Sequence, residues 1–204
     1  MSQPKIAVIG AGIIGRTLAR RWTEAGYPVT FGVRSPDDAD LTAYATGIGA
    51  GRDSINAAIA AADVVLLAIN GAAMEQAVPA MSGALDNKIV IDATNNTGGA
   101  TMNSVALISG HAPAARVYRA FNSLGWENFA DPTYDGVAGD MLYSGPEGPG
   151  RRVVEGLIED TGLRPILVGD NDKVGLVDDF TKLWFALAFE RGLGRGLGFK
   201  ILTR

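Results

Sequence analysis

The stretch IAVIGAGIIGRTLA, residues 6–19, decides the fold. Four apolar residues are followed by Gly10, Gly12 and Gly15 in the spacing G-x-G-x-x-G. The spacing alone is weak, but here it stands between a buried-strand pattern and the start of an amphipathic helix. In that setting the first glycine permits a tight turn, the second lets phosphate approach the backbone, and the third lets helix and strand pack closely.

The loop from Gly10 to Gly15 also contains Ala11, Ile13 and Ile14. We predict that its backbone holds the phosphates of a dinucleotide, because the helix that starts there offers N–H groups without intrahelical partners. The positive end of the helix dipole points at the same place. The alternative is a glycine-rich turn without a ligand, which the strand–turn–helix context disfavours.

Short apolar runs alternate with longer amphipathic runs along the rest of the chain. Strands are predicted at residues 5–10, 27–33, near Ile48, and at 63–69, 88–94, 116–121, 140–145 and 164–168. Helices are predicted from Ile14 to Ala25 and at residues 53–62, 72–84, 101–110, 151–162 and 176–188. The alternation predicts an α/β fold: a Rossmann-type, doubly wound, mainly parallel sheet with a small C-terminal α/β part.

The composition is that of an ordinary globular protein. Of the 204 residues, 47% are hydrophobic, and the net charge of −4 gives no electrostatic reason to expect nucleic acid or an anionic membrane as partner. The chain contains no cysteine, which excludes disulfides and thiolate metal sites, and no metal is predicted. The apolar runs are far shorter than the roughly 20 residues that span a bilayer. We expect a cytoplasmic protein without a membrane or nucleic-acid partner.

The end of the second predicted strand, with the sequence FGVRS, indicates which nicotinamide cofactor the protein binds. An NAD site places an acidic residue here, whereas an NADP site uses arginine. Val33 stands where the acid would be, and Arg34 and Ser35 follow it. Arg34 can form two parallel hydrogen bonds with a 2′-phosphate. We predict NADP(H) as the cofactor; the alternative is that Arg34 is a solvated surface residue.

Two further strand ends are expected to border the cofactor, because ligands lie outside the carboxyl ends of parallel strands. Ile69 and Asn70 follow one strand, and Asn95 follows the next. The two asparagines can reach ribose or carboxamide, or they can instead cap the helices that follow them. Residues 1–115 are predicted to form an NADP-binding Rossmann domain, and residues 116–204 a smaller part for substrate binding and oligomerisation.

Taken together, these motifs resemble the NADPH-dependent coenzyme F420 reductases, also called F420H2:NADP oxidoreductases, over nearly the whole chain. The cytoplasmic reductase domains of the STEAP metalloreductases are similar as well. The resemblance rests on the stretches IAVIGAGIIGRTLA, GVRS, DVVLLAI, KIVIDATN, RAFNSLGWENFADP, GLIEDTGLRPILVG and GRGLGFKIL. It implies a Rossmann domain, a deazaflavin stacked on the nicotinamide in a cleft, and an oligomeric assembly.

The resemblance also implies roles for single residues. It places the 2′-phosphate among Val33, Arg34 and Ser35, the nicotinamide against Ile69, and the deazaflavin in a pocket lined by Asn122, Leu124 and Leu197. The chain departs from the family pattern at three places, and one of them is Val33-Arg34-Ser35, where family members have a Ser-Arg-Arg run. Ala11 replaces a threonine of the glycine loop, and Asn122 replaces a histidine of the archaeal members.

The stretch RAFNSLGWEN, residues 119–128, is polar and aromatic but contains no acid–base pair. Hydride transfer between a nicotinamide and a deazaflavin needs two rings held close together with water excluded, and it needs no nucleophile. We therefore predict no catalytic side chain, and we interpret this stretch as the substrate-side wall, with Trp126 covering an edge. The alternative is a packed crossover loop with Trp126 in the core.

Other functions stay open. A second hypothesis is an NADPH-dependent reductase of another small redox acceptor, namely a flavin, a quinone, a ferric chelate or an imine. A ketone or imine reductase must protonate its product, but the candidate donors Tyr118, Tyr134 and Asp178 lie in no motif. The only histidine, His111, is expected to cap a helix or lie on the surface. A third hypothesis is a dinucleotide-binding sensor without turnover.

The end of the chain contains alternating glycines between residues 192 and 198, which cannot sustain a helix. This pattern suggests a backbone that approaches a ligand ring or another subunit closely. The apolar stripe before it, which includes Trp184 and Phe185, is predicted to form the seam of a homodimer or a higher homo-oligomer.

Overall fold

The computed structural model describes residues 3–204 and contains an eight-stranded sheet. The order of strands across the sheet is β10-β9-β6-β5-β4-β1-β2-β3, while β7 and β8 form a separate hairpin. Strands β1 to β6 are parallel to one another, and β9 is antiparallel to β6. In chain order the strands are β1 Ile6–Ile9, β2 Val29–Val33, β3 Gly51–Ser54, β4 Val64–Leu67, β5 Ile89–Asp92, β6 Arg116–Arg119, β7 Thr133–Tyr134, β8 Val137–Ala138, β9 Asp140–Ser144 and β10 Arg164–Gly169.

Eight α-helices cover the sheet in the range 3–204. They are α1 Ile13–Glu24, α2 Ala39–Ile48, α3 Ile55–Ala61, α4 Met74–Leu85, α5 Val105–His111, α6 Glu127–Ala130, α7 Pro149–Glu159 and α8 Val174–Phe185, which continues as a π-helical segment, Ala186–Glu190. No helix in this range is long and apolar enough to cross a membrane.

Strand side chains alternate between two apolar cores, because successive residues of a strand point to opposite faces. In β1, Ile6 and Val8 belong to one core, and Ala7 and Ile9 belong to the other. Buried residues of α1, α2, α7 and α8 complete the first core, and those of α3, α4 and α5 complete the second. Helices therefore cover both faces, which explains the continuous apolar runs of the strands. The predicted doubly wound α/β fold is confirmed.

The third strand, expected near Ile48, lies a few residues later. Ile48 ends α2, and the strand follows at Gly51–Ser54. The Asp38 carboxylate caps α2 by accepting a hydrogen bond from the Leu41 N–H at 2.9 Å, and Gly49 ends the helix with a φ of 74°. Because the side chains of β3 are mostly exposed, the segment lacks an apolar pattern, and only backbone pairing with β2 identifies it as a strand.

The sheet continues across the predicted boundary between residues 115 and 116. β6 begins directly after the boundary and pairs with β5, where Val117 lies opposite Val90. β9 and β10 then extend the same sheet beyond β6. Both parts of the chain thus share one sheet, and their division into a cofactor part and a substrate part stays a prediction.

The last helix has a buried and an exposed apolar side. Trp184 lies in the protein's own core, and its ring packs edge-on against Phe185 with 5.7 Å between the centroids. Leu176 and Leu183 are exposed on the same helix. Self-association through this helix stays a prediction, and the exposed leucines are the residues available for it.

Candidate functional site

The carboxyl ends of five parallel strands meet at one edge of the sheet. The last residue of β1, Ile9, lies beside Gly32 of β2 and Leu67 of β4. Asp92, the last residue of β5, lies beside Leu67 and beside Arg119, the last residue of β6. The glycine loop and the segments after β2, β4, β5 and β6 therefore leave the sheet side by side. This arrangement is the usual position of a ligand in an open parallel sheet.

The three glycines of the loop have different roles. Gly10 has a φ of 108°, and a Cβ there would lie 2.5 Å from the carbonyl oxygen of Ala68. A Cβ at Gly15 would lie 2.1 Å from the carbonyl oxygen of Gly10. At Gly12, by contrast, a Cβ would meet nothing within 4 Å. Gly10 and Gly15 are thus needed for close packing of the backbone, whereas the space beside Gly12 is open to a ligand.

The first turn of α1 is prepared for an anion. Gly12 occupies the N-cap position, so no side chain caps the helix, and the first turn contains no acidic residue. The loop borders a cleft of about 470 Å³. Trp126 also lines the cleft; it is half-buried and packs against the edge of the core. The lining residues are Ala11, Gly12, Ile13, Arg16, Thr17, Arg20, Asp40, Tyr44 and Trp126.

Arg16 braces the glycine loop from the helix. Its Nε donates to the Ala11 carbonyl at 2.9 Å, its guanidinium pairs with Asp40 at 2.5 Å, and it lies 4.9 Å from the centroid of the Tyr44 ring. Burial raises the pKa of the Tyr44 phenol, and the positive charges of Arg20 and Arg16 partly oppose that rise. The phenol is therefore neutral at physiological pH and donates to the Arg16 carbonyl at 2.8 Å. Sequence analysis did not identify this brace, since its members come from two helices.

The end of β2 presents a free cation. Arg34 and Ser35 are exposed, and Val33 is half-buried. The Arg34 side chain forms neither a hydrogen bond nor an ion pair with any residue between 3 and 204, whereas Asp38 is occupied as the cap of α2. An exposed guanidinium without a carboxylate partner is suited to an anionic group such as a 2′-phosphate.

Asn70 follows β4 and caps the short 3-10 turn after it. Its Oδ1 accepts a hydrogen bond from the Ala72 N–H at 2.9 Å, so the capping interpretation of Asn70 is confirmed. Ile69, directly before it, is half-buried. A Cβ at Gly71 would lie 2.4 Å from the carbonyl carbon of Asn95, which means that the loops after β4 and β5 are in direct contact.

Asn95 follows β5 and caps no helix. Its Oδ1 accepts a hydrogen bond from Arg119 at 2.7 Å, and its Nδ2 donates to the backbone carbonyl of Asn122 at 2.8 Å. Both ends of the amide are thus used within the protein. Asn95 connects the loop after β5 to the segment after β6, where the acceptor wall was predicted.

Arg119 is the centre of a buried charged cluster that sequence analysis did not assign. Its guanidinium is fully buried and pairs with Asp92 at 3.3 Å and with Asp178 of α8 at 2.9 Å. It also donates to the carbonyl oxygens of Asp92 and Thr94, in addition to the Asn95 side chain. Asp178, a candidate proton donor from sequence, is therefore a partner of a buried arginine.

The four predicted wall residues do not share one cavity. Asn122 is buried; its Nδ2 donates to Thr181 Oγ1 at 2.8 Å, and its Oδ1 has no hydrogen-bond donor. Leu124 is also buried, whereas Trp126 lines the cleft at the glycine loop. Leu197 lies in a second hollow, of about 290 Å³, between the chain end and the hairpin of β7 and β8.

The glycine-rich end of the chain approaches the protein's own side chains. A Cβ at Gly198 would lie 2.2 Å from the Tyr134 ring. The Leu197 carbonyl accepts a hydrogen bond from the indole N–H of Trp184 at 2.7 Å, and Arg195 pairs with Glu127 at 2.5 Å. The close backbone approach suggested by the glycines is thus present, and its partner is an aromatic ring of the same chain.

The other candidate proton donors are occupied. Burial raises the pKa of Tyr118 and that of Tyr134 to about 12. Tyr118 donates to the Pro146 carbonyl at 2.9 Å, and Tyr134 donates to Asn128 Oδ1. His111 lies exposed at the end of α5, as expected from sequence. Within residues 3–204 no three acidic or histidine side chains are grouped as metal ligands.

Residues 5–96 match the sequence model of the family described as NADP oxidoreductase coenzyme F420-dependent. The matched range runs from β1 to the segment after β5. It therefore includes the glycine loop, Arg34 and four of the five strand ends that form the edge described above. No curated protein matches the sequence.

Two solved structures of low identity share the fold. A protein from Arthrobacter sp. FB24, provisionally described as an F420-dependent NADP-reductase, has a TM-score of 0.84 at 23% identity, with 98% of this chain and 100% of that chain covered. A reductive aminase from Aspergillus terreus in complex with NADPH4, cyclohexanone and allyl amine has a TM-score of 0.68 at 23% identity, with 94% of this chain covered. This chain spans 64% of the aminase. At such identities the likeness shows the fold alone.

A third solved structure is closer in sequence. The hypothetical protein SMa0349 from Sinorhizobium meliloti is 30% identical, has a TM-score of 0.68, and is aligned over 81% of this chain and 85% of that chain. The chain therefore belongs to the same family as SMa0349, and through residues 5–96 it matches the NAD(P)-dependent oxidoreductases.

Proposed function

We propose that this protein transfers hydride between NADPH and coenzyme F420, an 8-hydroxy-5-deazaflavin. The observation that carries the proposal is the open, uncapped start of α1 beside Gly12, next to an arginine without a protein partner at the end of β2. Together they offer backbone donors to a pyrophosphate and a guanidinium to a 2′-phosphate. The bound nicotinamide supplies the hydride.

The residues of the chain would bind and orient the two rings. The backbone from Gly10 to Gly15 holds the phosphates, and Val33, Arg34 and Ser35 surround the 2′-phosphate. Ile69, Asn70 and Asn95 border the nicotinamide half. In this proposal Asn122, Leu124 and Trp126, which all belong to the segment after β6, form the acceptor side, and no side chain acts as acid or base. The burial and pairing of Tyr118, Tyr134 and Asp178 support a reaction without a dedicated proton donor.

The acceptor is inferred from the chemistry of Asn122. Its buried Oδ1 lacks a donor, and an unsatisfied buried acceptor costs about 1–3 kcal/mol. A deazaflavin ring carries an N–H group that can donate to such an oxygen. A quinone or a ketone presents only acceptor oxygens. The orphaned oxygen therefore favours a nitrogen heterocycle over these alternatives.

A panel of acceptors tests the reaction. The purified protein is mixed with NADPH and, in turn, with coenzyme F420, FMN, a benzoquinone, ferric citrate and a cyclic imine, and NADPH oxidation is followed by absorbance. We expect turnover with the deazaflavin only. Oxidation with the imine instead would favour the activity named for the reductive aminase of the same fold. NADPH binding without oxidation by any acceptor would identify a sensor.

Arg34→Ala is expected to weaken NADPH binding by about 10- to 150-fold, since it removes a charge-assisted hydrogen bond of about 1.5–3 kcal/mol. NADH, which lacks the 2′-phosphate, should bind the variant as it binds the natural protein. Isothermal calorimetry with both cofactors measures the two dissociation constants. Arg152→Ala is the matched control, because it removes an exposed arginine from α7. A natural protein that prefers NADH would contradict the assignment.

Asn122→Ala and Leu124→Ala test the acceptor wall. Each is expected to raise the KM for the deazaflavin about fivefold or more, because one loses a ring hydrogen bond of about 1 kcal/mol and the other loses buried apolar contact. The dissociation constant of NADPH should stay unchanged in both. If both variants keep the KM of the natural protein, the segment after β6 is structural.

A further inference from the structure

Two buried side chains of α8 reach the segment that follows β6. Asp178 and Thr181 are three residues apart, so they lie on one face of the helix. Asp178 accepts hydrogen bonds from Arg119 Nε at 3.1 Å and from its terminal nitrogen at 2.9 Å. Thr181 Oγ1 accepts one from Asn122 Nδ2 at 2.8 Å. α8 therefore holds both the last residue of β6 and a residue of the predicted acceptor wall.

Arg119 extends this connection to the loop after β5. One terminal nitrogen donates to the carbonyl oxygens of Asp92 and Thr94, and the other donates to Asn95 Oδ1. Asn95 then donates to the backbone carbonyl of Asn122. Two chains of hydrogen bonds thus run from α8 to Asn122, one to its side chain and one to its backbone.

The helix also fixes the orientation of the Asn122 amide. The Thr181 hydroxyl donates its hydrogen to the Val177 carbonyl at 3.2 Å, so it faces Asn122 as an acceptor. The amide must then direct Nδ2 at Thr181, which leaves Oδ1 without a donor. A buried polar group that stays unsatisfied beside a satisfied network requires an explanation, and a bound ligand provides one.

We propose that Asp178, Arg119 and Thr181 are positioning residues that hold Asn122 with its Oδ1 ready to accept a hydrogen bond from an N–H group of the hydride acceptor. None of the three needs to touch the acceptor itself. The inference rests on the proposed function in one respect, which is that Asn122 contacts the acceptor. A displacement of about 1 Å within such an arrangement lowers the rate by about 10²-fold.

Four single variants separate positioning from general stability. Thr181→Val removes the hydroxyl at nearly constant shape, and Asp178→Asn removes the charge at constant size. Thr181→Ser keeps the hydroxyl. Asp179→Asn makes the same chemical change one residue along α8, where Asp179 forms an exposed pair with Lys182. Thr181→Val and Asp178→Asn should lower kcat/KM for coenzyme F420 by about 10²-fold, where the rate is divided by the concentration of NADPH-binding sites. Their Kd for NADPH should stay unchanged. The other two should match the natural protein.

Hydrogen exchange supplies a readout that needs no turnover. Backbone amides of residues 120–126 should exchange faster in Thr181→Val and Asp178→Asn, while those of residues 9–16 keep their rates. The inference would be overturned if both variants exchanged residues 120–126 at the rates of the natural protein. It would also be overturned if both kept the kcat/KM of the natural protein per NADPH-binding site. A third outcome is that the natural protein turns over no acceptor, while the two variants still exchange residues 120–126 faster. That outcome would overturn the proposed function but would support the positioning of Asn122 by α8.

Discussion

Gly12→Val is expected to weaken NADPH binding by about 10²- to 10⁴-fold without unfolding the protein. The residue has φ −75° and ψ −176°, which any L-residue adopts, and its Cβ would meet no atom within 4 Å. The side chain would fill the space through which the pyrophosphate approaches the backbone. Loss of two charge-assisted hydrogen bonds, about 3–6 kcal/mol together, corresponds to a loss of affinity of about 10²- to 10⁴-fold.

Gly15→Val is the matched control for that experiment. The same side chain placed three residues later would bring its Cβ to 2.1 Å from the Gly10 carbonyl oxygen, so the loop and α1 cannot keep their packing. We expect a large loss of stability in this variant and at most about 1 kcal/mol in Gly12→Val, where valine is a poor N-cap. Thermal unfolding and calorimetric titration measure the two effects. An unchanged NADPH affinity in Gly12→Val would show that the phosphates lie elsewhere.

Arg119→Met is expected to cost about 3–5 kcal/mol of unfolding free energy, because it leaves two buried carboxylates without their cation. Asp92 is fully buried, and Asp178 is nearly so. The carbonyl oxygens of Asp92 and Thr94 lose donors in addition. Because the total free energy of unfolding of a domain is about 5–15 kcal/mol, the loss of this one side chain would remove a large part of the stability of the protein. Urea unfolding followed by circular dichroism gives the value.

Arg151→Met provides the comparison. Arg151 also pairs with two carboxylates, those of Glu147 and Glu155, but its side chain is 33% exposed, and each partner is four residues from it in the sequence. Exposed pairs of this kind contribute below about 1 kcal/mol each. If Arg119→Met and Arg151→Met lost the same free energy of unfolding, the buried cluster around Arg119 would contribute no more to stability than the exposed ion pairs.

The glycine loop was predictable because its determinants are local. Gly10, Gly12 and Gly15 lie within six residues, and the strand before them and the helix after them are visible as apolar periods. Such a pattern favours one local backbone conformation, and this preference depends little on distant parts of the sequence. The fold class followed from the same kind of signal, repeated along the chain. β3 was expected a few residues too early and α2 was missed, because neither has a clear apolar period. Capping by Asp38 and pairing against β2 define them.

The acceptor side was less predictable because its contacts join distant parts of the chain. Asp178 could be named from sequence only as a possible proton donor, whereas its partner Arg119 lies 59 residues earlier. Trp126 belongs to the segment after β6, yet it lines a cleft with the start of α1. Leu197 was expected beside Asn122 and lies instead in a hollow with Tyr134.

The doubly wound sheet and the dinucleotide-type loop at its edge follow from the amino-acid sequence alone, since both depend on patterns of a few neighbouring residues. The contacts of Arg119 with β5 and α8, and the unsatisfied oxygen of Asn122, depend on the three-dimensional arrangement of the chain. The physical reason is burial: a guanidinium removed from water must find its carboxylates, and which carboxylates are within reach depends on how the strands and helices are arranged in space.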